Sequence, residues 1–280
     1  MDLSGSHFEY AGISSRAYGL ILANIDTTRN DMISGSISLN TFYGKSEDRT
    51  YYVNDNRNDS AITFDAEVIT DDESCIPLTN QREIEKWLFS KRKYSRLYKD
   101  ETDDCEGDSS EIVHGVKRRT YMNCRLINAT KIENNAGVVG YKFTVQTDSS
   151  LAWQEETFVS FDINSEETTN TENITIDVDT DYSGYTYPTV EVTMSSAGGN
   201  LQIANITDMP ASQRSLSFEG LLPNETITIK CGDVKHVSGS QNFEKITKMD
   251  FVRLLDGDNT LSITGAVSNI KVSWQNKRYI

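Results

Sequence analysis

Strict alternation of apolar and polar residues near the C-terminal end most constrains the fold of this chain. A period of two places the apolar side chains on one face of a β-strand, which buries that face and exposes the other. A turn at Asp256–Asn259 precedes the first strand, and Gly257 lets this turn adopt a positive φ without a Cβ clash. The sequence therefore predicts two closing strands and a chain end held in a β-sheet. The apolar members of the alternation are Leu261, Ile263, Ile270, Val272 and Trp274.

Similar strand patterns cover the rest of the chain and divide it in two. The 280 residues suffice for two domains with separate cores. The polar run at 147–150 is the best boundary, and it predicts an N-terminal domain over 1–147 and a C-terminal domain over 151–280. Beyond this run, short strands and polar turns alternate without helical periodicity, which is typical of a β-sandwich or jelly roll. The predicted fold class is mainly β.

One helix is predicted in the N-terminal half, at about 80–92. Asn80 is a candidate N-cap, and Glu83 three residues later completes a capping-box pattern. The basic run Lys91–Lys93 suits the negative end of the helix dipole. An apolar stripe is formed by Ile84, Trp87 and Leu88.

A hairpin is predicted over about 33–53, and it is unusually rich in aromatic residues. Adjacent aromatic residues on one strand point to opposite faces, and a single domain face cannot bury both. We therefore expect either a contact with another subunit or an aromatic residue exposed at the hairpin. The candidate interface residues are Phe42, Tyr43, Tyr51 and Tyr52.

Charge and motifs argue against several functional classes. The formal net charge of −15 disfavours binding to nucleic acid through phosphate neutralisation. No apolar run is long enough to span a bilayer, and the N-terminus lacks the pattern of a signal peptide, so we expect cytoplasmic synthesis and no membrane insertion. The histidines are isolated and the cysteines are scattered without a CxxC pair, so the sequence shows no zinc site. No nucleophile elbow or P-loop is present in the sequence. We therefore expect no enzyme activity, no cofactor and no metal.

One functional hypothesis is carbohydrate binding by the C-terminal sandwich. Trp153 and Tyr185 are candidates for stacking on sugar rings, although aromatic residues in strands more often belong to the core. The alternating aspartates of the 177–181 segment could hold a cation, but they also fit a strand whose aspartates face solvent.

Segments from both ends of the chain resemble one known family. The opening segment Phe8–Leu20 and the late segment Leu254–Gly265 resemble the siphophage distal tail proteins. The intervening segment Leu216–Ile229 is similar to the hairpin before that family's last strands, and the helix after Pro77 falls where the family carries one. The acidic stretch from Lys99 to Arg119 is longer than this resemblance needs.

The resemblance implies a structural protein of the virion tail tip, made in the host bacterial cytoplasm. Members of the family form a homo-hexameric ring through the N-terminal domain, and a protruding hairpin, the belt, embraces the neighbour. The hairpin at about 33–53 is the candidate belt. The resemblance further implies a galectin-like C-terminal domain, and as partners the tail tube protein, the tape-measure protein and the tail-tip or receptor-binding proteins. DNA would only pass through the ring lumen.

Overall fold

The chain divides into two compact units. The computed structural model describes residues 7–25, 37–44, 49–57, 61–72, 74–99, 111–113, 116–167, 169–232, 236–238 and 243–279. The N-terminal unit comprises Met1–Gln154 together with Arg278–Ile280, and the second unit comprises Glu155–Lys277. Strands dominate both units, which confirms the predicted mainly-β fold class.

The N-terminal unit contains twelve strands before the chain leaves it, and one α-helix, α1 (Leu78–Phe89), within the described residues. A short 3-10 helix lies at Ser15–Tyr18. The strands are β1 (Phe8–Tyr10), β2 (Ile13–Ser14), β3 (Leu20–Ile25), β4 (Ile37–Gly44), β5 (Arg49–Arg57), β6 (Thr63–Thr70), β7 (Ser95–Lys99), β8 (Glu111–Val113), β9 (Val116–Arg118), β10 (Thr120–Asn134), β11 (Gly137–Thr147) and β12 (Leu151–Gln154).

The remaining strands follow in the second unit, except that the last one returns to the first. They are β13 (Thr157–Asp162), β14 (Thr171–Val178), β15 (Thr189–Met194), β16 (Gly199–Asn205), β17 (Leu216–Leu221), β18 (Thr226–Lys230), β19 (His236–Val237), β20 (Ile246–Met249), β21 (Gly257–Gly265), β22 (Val267–Trp274) and β23 (Lys277–Tyr279).

A nine-stranded sheet organises the N-terminal unit. Its main path runs β2-β1-β7-β10-β11-β6-β3, while β12 pairs with both β10 and β23. Helix α1 covers one face, because Ile84, Trp87 and Leu88 join the same buried cluster as the inward side chains of the sheet. The indole N–H of Trp87 donates to the carbonyl of Tyr10 at 2.8 Å, and its ring stacks on Phe8 with centroids 5.7 Å apart. The predicted apolar stripe of the helix is thus confirmed.

The predicted ends of the helix are wrong. The helix begins at Leu78, with Pro77 at the N-cap position, so Asn80 lies inside the first turn and caps nothing. A proline ring fixes φ near the helical value and carries no N–H, so it suits the entrance of a helix without a side-chain cap. The helix ends at Phe89, and the basic run Lys91–Lys93 follows it instead of closing it.

The second unit is a sandwich of two five-stranded sheets. Their orders are β13-β22-β15-β18-β19 and β14-β21-β16-β17-β20. If β19 and β20 are left out and the other eight strands are numbered 1 to 8 along the chain, the strand orders of the two sheets are 1-8-3-6 and 2-7-4-5. The antiparallel pairs 1/8, 2/7, 3/6 and 4/5 are all present, which is the nested pairing of a jelly roll. The short strands β19 and β20 extend one edge of each sheet.

The inner faces of both sheets share one buried cluster. Val190 and Ile270 contribute to it from one sheet, and Ile203 and Ile263 contribute from the other; all four are at most 1% exposed. The alternation near the C-terminal end therefore marks core strands, as predicted. Gly257 has a φ of 83°, as predicted. The predicted turn at Asp256–Asn259 is wrong in its bounds, because β21 already begins at Gly257 and pairs with β14 from that residue on.

The polar run at 147–150 lies within the nine-stranded sheet. Thr147 pairs with Cys124 on β10, whereas Trp153 pairs with Tyr121, so three extra residues form a bulge between β11 and β12. The backbone N–H of Asp148 donates to the carbonyl of Asn123 at 3.0 Å, which holds this bulge against β10. The compact units consequently divide after Gln154, and Arg278–Ile280 belong to the N-terminal unit.

Candidate interaction surfaces

The aromatic hairpin is present, with its bounds four residues beyond the predicted ones. Strands β4 and β5 pair only with each other among the described residues. The register places Phe42 opposite Tyr51, Thr41 opposite Tyr52, and Tyr43 opposite Thr50. The backbone thus brings all four predicted interface residues to neighbouring positions of one two-stranded ribbon. Residues 45–48 and most of the acidic stretch at 99–119 lie outside the described residues.

A row of aromatic side chains crosses the nine-stranded sheet on the face opposite α1. Glu9 pairs with Tyr98, Tyr98 with Tyr121, and Tyr121 with Trp153, so that β1, β7, β10 and β12 contribute one residue each. Their neighbours along the strands, such as Leu97, point to the helix side. The two tyrosine rings lie 5.3 Å apart between centroids. We call Tyr98, Tyr121 and Trp153 the aromatic row.

Two arginines stack on the aromatic row. The guanidinium carbon of Arg96 lies 4.4 Å from the ring centroid of Tyr121, and that of Arg119 lies 4.3 Å from the ring centroid of Tyr98. Arg96 also donates to the hydroxyl of Tyr98 at 3.2 Å, and Arg119 forms an ion pair of 2.8 Å with Glu9. Stacking and hydrogen bonding therefore fix the orientation of both guanidinium groups.

The sequence reasoning missed this surface, except for Trp153. Tyr98 and Tyr121 are only 6% and 4% exposed although they do not face the helix. The available signal was that β7 and β10 are apolar or aromatic at successive positions, as in Leu97–Tyr98 and Tyr121–Met122. A strand that carries large apolar side chains on both faces needs other parts of the protein to cover both of them.

A second aromatic contact lies in the jelly-roll unit. The guanidinium of Arg253 lies 3.7 Å from the ring centroid of Tyr185 and makes two hydrogen bonds, of 2.8 and 3.1 Å, to the carboxylate of Asp208. These hydrogen bonds raise the pKa of Arg253 above its ordinary value. Arg214 approaches the same carboxylate at 3.6 Å. One carboxylate thus contacts two arginines, and the guanidinium of Arg253 already covers the Tyr185 ring.

The two candidate sugar-stacking residues lie in different units. Trp153 belongs to β12 of the N-terminal unit, whereas Tyr185 belongs to the jelly-roll unit. Within the described residues, no group of three His, Cys, Asp or Glu side chains is placed to hold a metal ion. No helix among them has the length and apolar character needed to cross a membrane.

Two family models match successive parts of the chain. The first, described as a phage tail protein N-terminal domain, matches residues 3–149, and the second, described as a phage tail C-terminal domain, matches residues 151–274. No curated protein sequence matches the chain.

Solved structures share the fold. The Dit protein of phage SPP1, described as a paradigm of the hub adsorption apparatus in phages that infect Gram-positive bacteria, superposes with a TM-score of 0.63 at 12% identity, covering 97% of this chain and 98% of its own. Chains of the phage p2 baseplate in its activated conformation, with calcium or strontium, cover 98% of this chain and 99% of their own at 9% identity, with TM-scores of 0.45 and 0.47.

A discontinuous β-unit with one helix, followed by a jelly roll, is thus the architecture of a phage tail component. The chain belongs to the phage tail protein family defined by these two domain models. Its fold is that of the Dit protein of phage SPP1, which confirms the resemblance to the distal tail proteins.

Proposed function

We propose that this chain is the distal tail hub of a phage, a structural protein that forms a homo-hexameric ring at the tail tip. The observation that carries the proposal is the fold shared with the SPP1 Dit protein over 97% of this chain. The agreement spans both units, so it involves the whole architecture and not one common module. The protein would act by assembly, without a catalytic step.

The N-terminal unit would build the ring, with the β4–β5 hairpin as the belt that embraces the neighbouring subunit. A two-stranded ribbon that pairs with no other described strand gains little stability alone, so a partner surface would stabilise it. The aromatic residues Phe42, Tyr43, Tyr51 and Tyr52 would supply the apolar contact. The ring would join the tail tube and tape-measure proteins to the tail-tip or receptor-binding proteins, and DNA would pass through its lumen.

The mass of the protein in solution tests the ring. A hexamer of the 31.5 kDa chain has a mass of about 189 kDa, which light scattering after size exclusion resolves from the monomer. We expect the hexamer to be populated at micromolar concentration. A monomer at every concentration up to the millimolar range would refute self-assembly of the isolated chain. Immunogold labelling of virions would locate the protein, and label along the tube or on the head would exclude the tail tip.

Aromatic substitutions in the hairpin test the belt. Replacing Phe42 and Tyr51 together by Ser removes a directly opposed pair. We expect this to raise the protein concentration at which half of the hexamer is dissociated by about ten-fold. Phe158→Ser is the matched control, since this aromatic residue is 61% exposed on the jelly roll and lies outside the hairpin. Equal hexamer stability in the two variants would remove the hairpin from the interface. Carbohydrate binding by the jelly roll stays a prediction, which a glycan array would test.

A further inference from the structure

We infer that the loop between α1 and β7 binds single-stranded nucleic acid, with its cations on the phosphates and its tyrosine on a base. This activity goes beyond the proposed structural role and does not depend on the ring. We call residues 90–94 the basic loop, because Lys91, Arg92 and Lys93 follow one another there and precede Tyr94. Three features carry the inference: the local charge, the unpaired side chains and the exposed tyrosine ring.

Positive charge is concentrated around the basic loop, although the whole chain has a formal net charge of −15. Residues 86–99 hold six Lys and Arg and no Asp or Glu, and residues 112–132 hold five Lys and Arg and again no Asp or Glu. The two segments meet in the sheet, because β7 pairs with β10. A local excess of cations can attract a polyanion that the whole molecule repels, since salt at 0.1 M screens charges more than about 10 Å away.

The side chains of the basic loop are free to contact a ligand. Arg92, Lys93 and Tyr94 are exposed, and Lys91 is half-buried. Within the described part of the chain, none of the four forms a side-chain hydrogen bond, an ion pair or a ring contact. The negative end of α1 accounts for Lys91 at most, because the effect of a helix dipole falls off within the last turn.

A further cation lies beside the basic loop. The register of β7 and β10 pairs Ser95 with Cys124, so Tyr94 and Arg125, the next residues along the two chains, are neighbours where β7 begins. Arg125 is half-buried, and among the described residues it forms no ion pair and its Nε has no acceptor. Its charge therefore adds to the positive potential at the base of the loop. Arg96 takes no direct part, because it is already held by the aromatic row.

The residue types favour a single-stranded nucleic acid over an acidic protein segment. Two of the three cations in the loop are lysines, which are depleted in protein–protein interfaces but commonly bind phosphate groups. Tyr94 is 45% exposed. Unpaired bases stack on such rings, whereas the bases of a duplex already stack on each other. Because the net charge of −15 opposes binding, we expect the affinity to be measurable at low salt.

Charge reversal in the basic loop tests the inference. Fluorescence anisotropy of a labelled oligothymidylate of about 12 nucleotides measures its binding to the full chain. Three neutralised phosphates predict that binding weakens about 20-fold between about 20 and 80 mM salt. At the lower salt, Arg92→Glu with Lys93→Glu should weaken binding by at least about ten-fold. The matched control, Arg82→Glu with Lys230→Glu, changes the net charge equally at two exposed positions and should weaken binding by less than about three-fold.

The tyrosine ring is tested separately. Tyr94→Ser removes the ring and keeps the charge, and we expect binding to weaken by about ten-fold through the loss of one base stack. Tyr187→Ser removes a ring that is 47% exposed on the jelly-roll unit, so it is the matched control and should leave binding unchanged. Circular dichroism would first establish that each variant folds like the wild type. If the glutamate variant of the loop does not fold, Tyr94→Ser alone decides.

Four results would overturn the inference. The first is a wild type that does not bind the oligothymidylate at low salt, and the second is an equal loss in the two glutamate variants, which would reduce binding to net charge. The third is binding by Tyr94→Ser that equals the wild type. The fourth is an oligoglutamate peptide of the same charge that competes as well as the oligothymidylate, which would assign the loop to an acidic protein segment. A monomeric wild type that binds the oligonucleotide would refute the ring and support the inference.

Discussion

The side-chain amide of Asn205 donates a hydrogen bond of 2.8 Å to Oδ1 of Asn259, which is fully buried in the jelly-roll unit. The same oxygen accepts from the backbone N–H of Leu255, and the amide of Asn259 donates to the carbonyls of Leu255 and Gly257, each at 2.8 Å. Asn259 thus satisfies backbone groups of Leu255 and Gly257, where the chain enters β21, and Asn205 ties this segment to the end of β16.

Removing this amide should destabilise the jelly roll strongly. Asn259→Ala leaves buried donors and acceptors without partners, each worth about 1–3 kcal/mol, so we expect unfolding in urea to lose roughly 3 kcal/mol or more. Asn173→Ala, an exposed position on β14, is the matched control and should cost well under 1 kcal/mol. Equal losses in the two variants would show that the network does not stabilise the start of β21.

Stability should fall at alkaline pH in part because of Tyr10. Burial raises the pKa of its hydroxyl to about 12 in the folded state, whereas an unfolded tyrosine titrates near pH 10. The folded chain therefore holds a proton that the unfolded chain releases, so this stabilisation is complete below about pH 10 and is lost as the pH rises towards 12.

The variant Tyr10→Phe isolates this contribution. Between pH 10 and 12 we expect the unfolding free energy of the wild type to decline more steeply than that of the variant, by up to roughly 1.4 kcal/mol per pH unit. Urea unfolding at pH 8, 10 and 11 measures the difference. Parallel pH profiles would mean that the hydroxyl ionises equally in both states.

The cysteines should differ in reactivity. Burial raises the pKa of the Cys124 thiol to about 12, and Cys231 is also buried, whereas Cys75 is half-buried. Because the thiolate is the reactive form, iodoacetamide at pH 8 should modify Cys75 before Cys124 and Cys231, which should react only after unfolding; these are the three cysteines among the described residues. Peptide mapping by mass spectrometry reads each site separately. Modification of Cys124 at the rate of Cys75 in the native protein would contradict the packing described.

A like-charge pair should limit the stability of the jelly roll at low salt. Asp177 lies directly opposite Asp258 on the paired strands β14 and β21, and both are exposed. Like charges at such positions destabilise a sheet by about 0.2–1 kcal/mol. Asp258→Asn should therefore raise the melting temperature in 10 mM salt, and the gain should shrink in 1 M salt. Glu156→Gln, an exposed carboxylate outside this pair, controls for net charge; an equal gain there would disprove a local effect.

The sequence predicts best what depends on neighbours along the chain. The alternation around Ile263 and the positive φ of Gly257 follow from local sterics and burial, and the structure confirms both. The aromatic row could not be predicted, because Tyr98 and Tyr121 meet only through the register of two strands more than twenty residues apart. The predicted start of the helix was wrong for a local reason, since the helix begins at Leu78, directly after Pro77 and ahead of the expected cap at Asn80.

The bulge between β11 and β12 could not be anticipated either. Its composition of small polar residues is that of a linker, yet Ser150 is 1% exposed and the chain continues in the same sheet. The pairing of Trp153 with Tyr121 and of Gln154 with Thr120 shows that the sheet extends beyond it. Polar composition marks a departure from regular strand pairing, and tertiary contacts decide whether this is a bulge or a boundary.

The return of the chain into the nine-stranded sheet has a consequence for how such a protein can change. The jelly roll is spliced into its host at two joints, one after Gln154 and one before Arg278, and its first and last strands are neighbours, with Thr157 opposite Trp274. A domain whose first and last strands lie side by side can be replaced by another domain with the same arrangement of ends without a change in the fold of the N-terminal unit. The pairing of β12 with β23 would hold the two chain connections of any such replacement together.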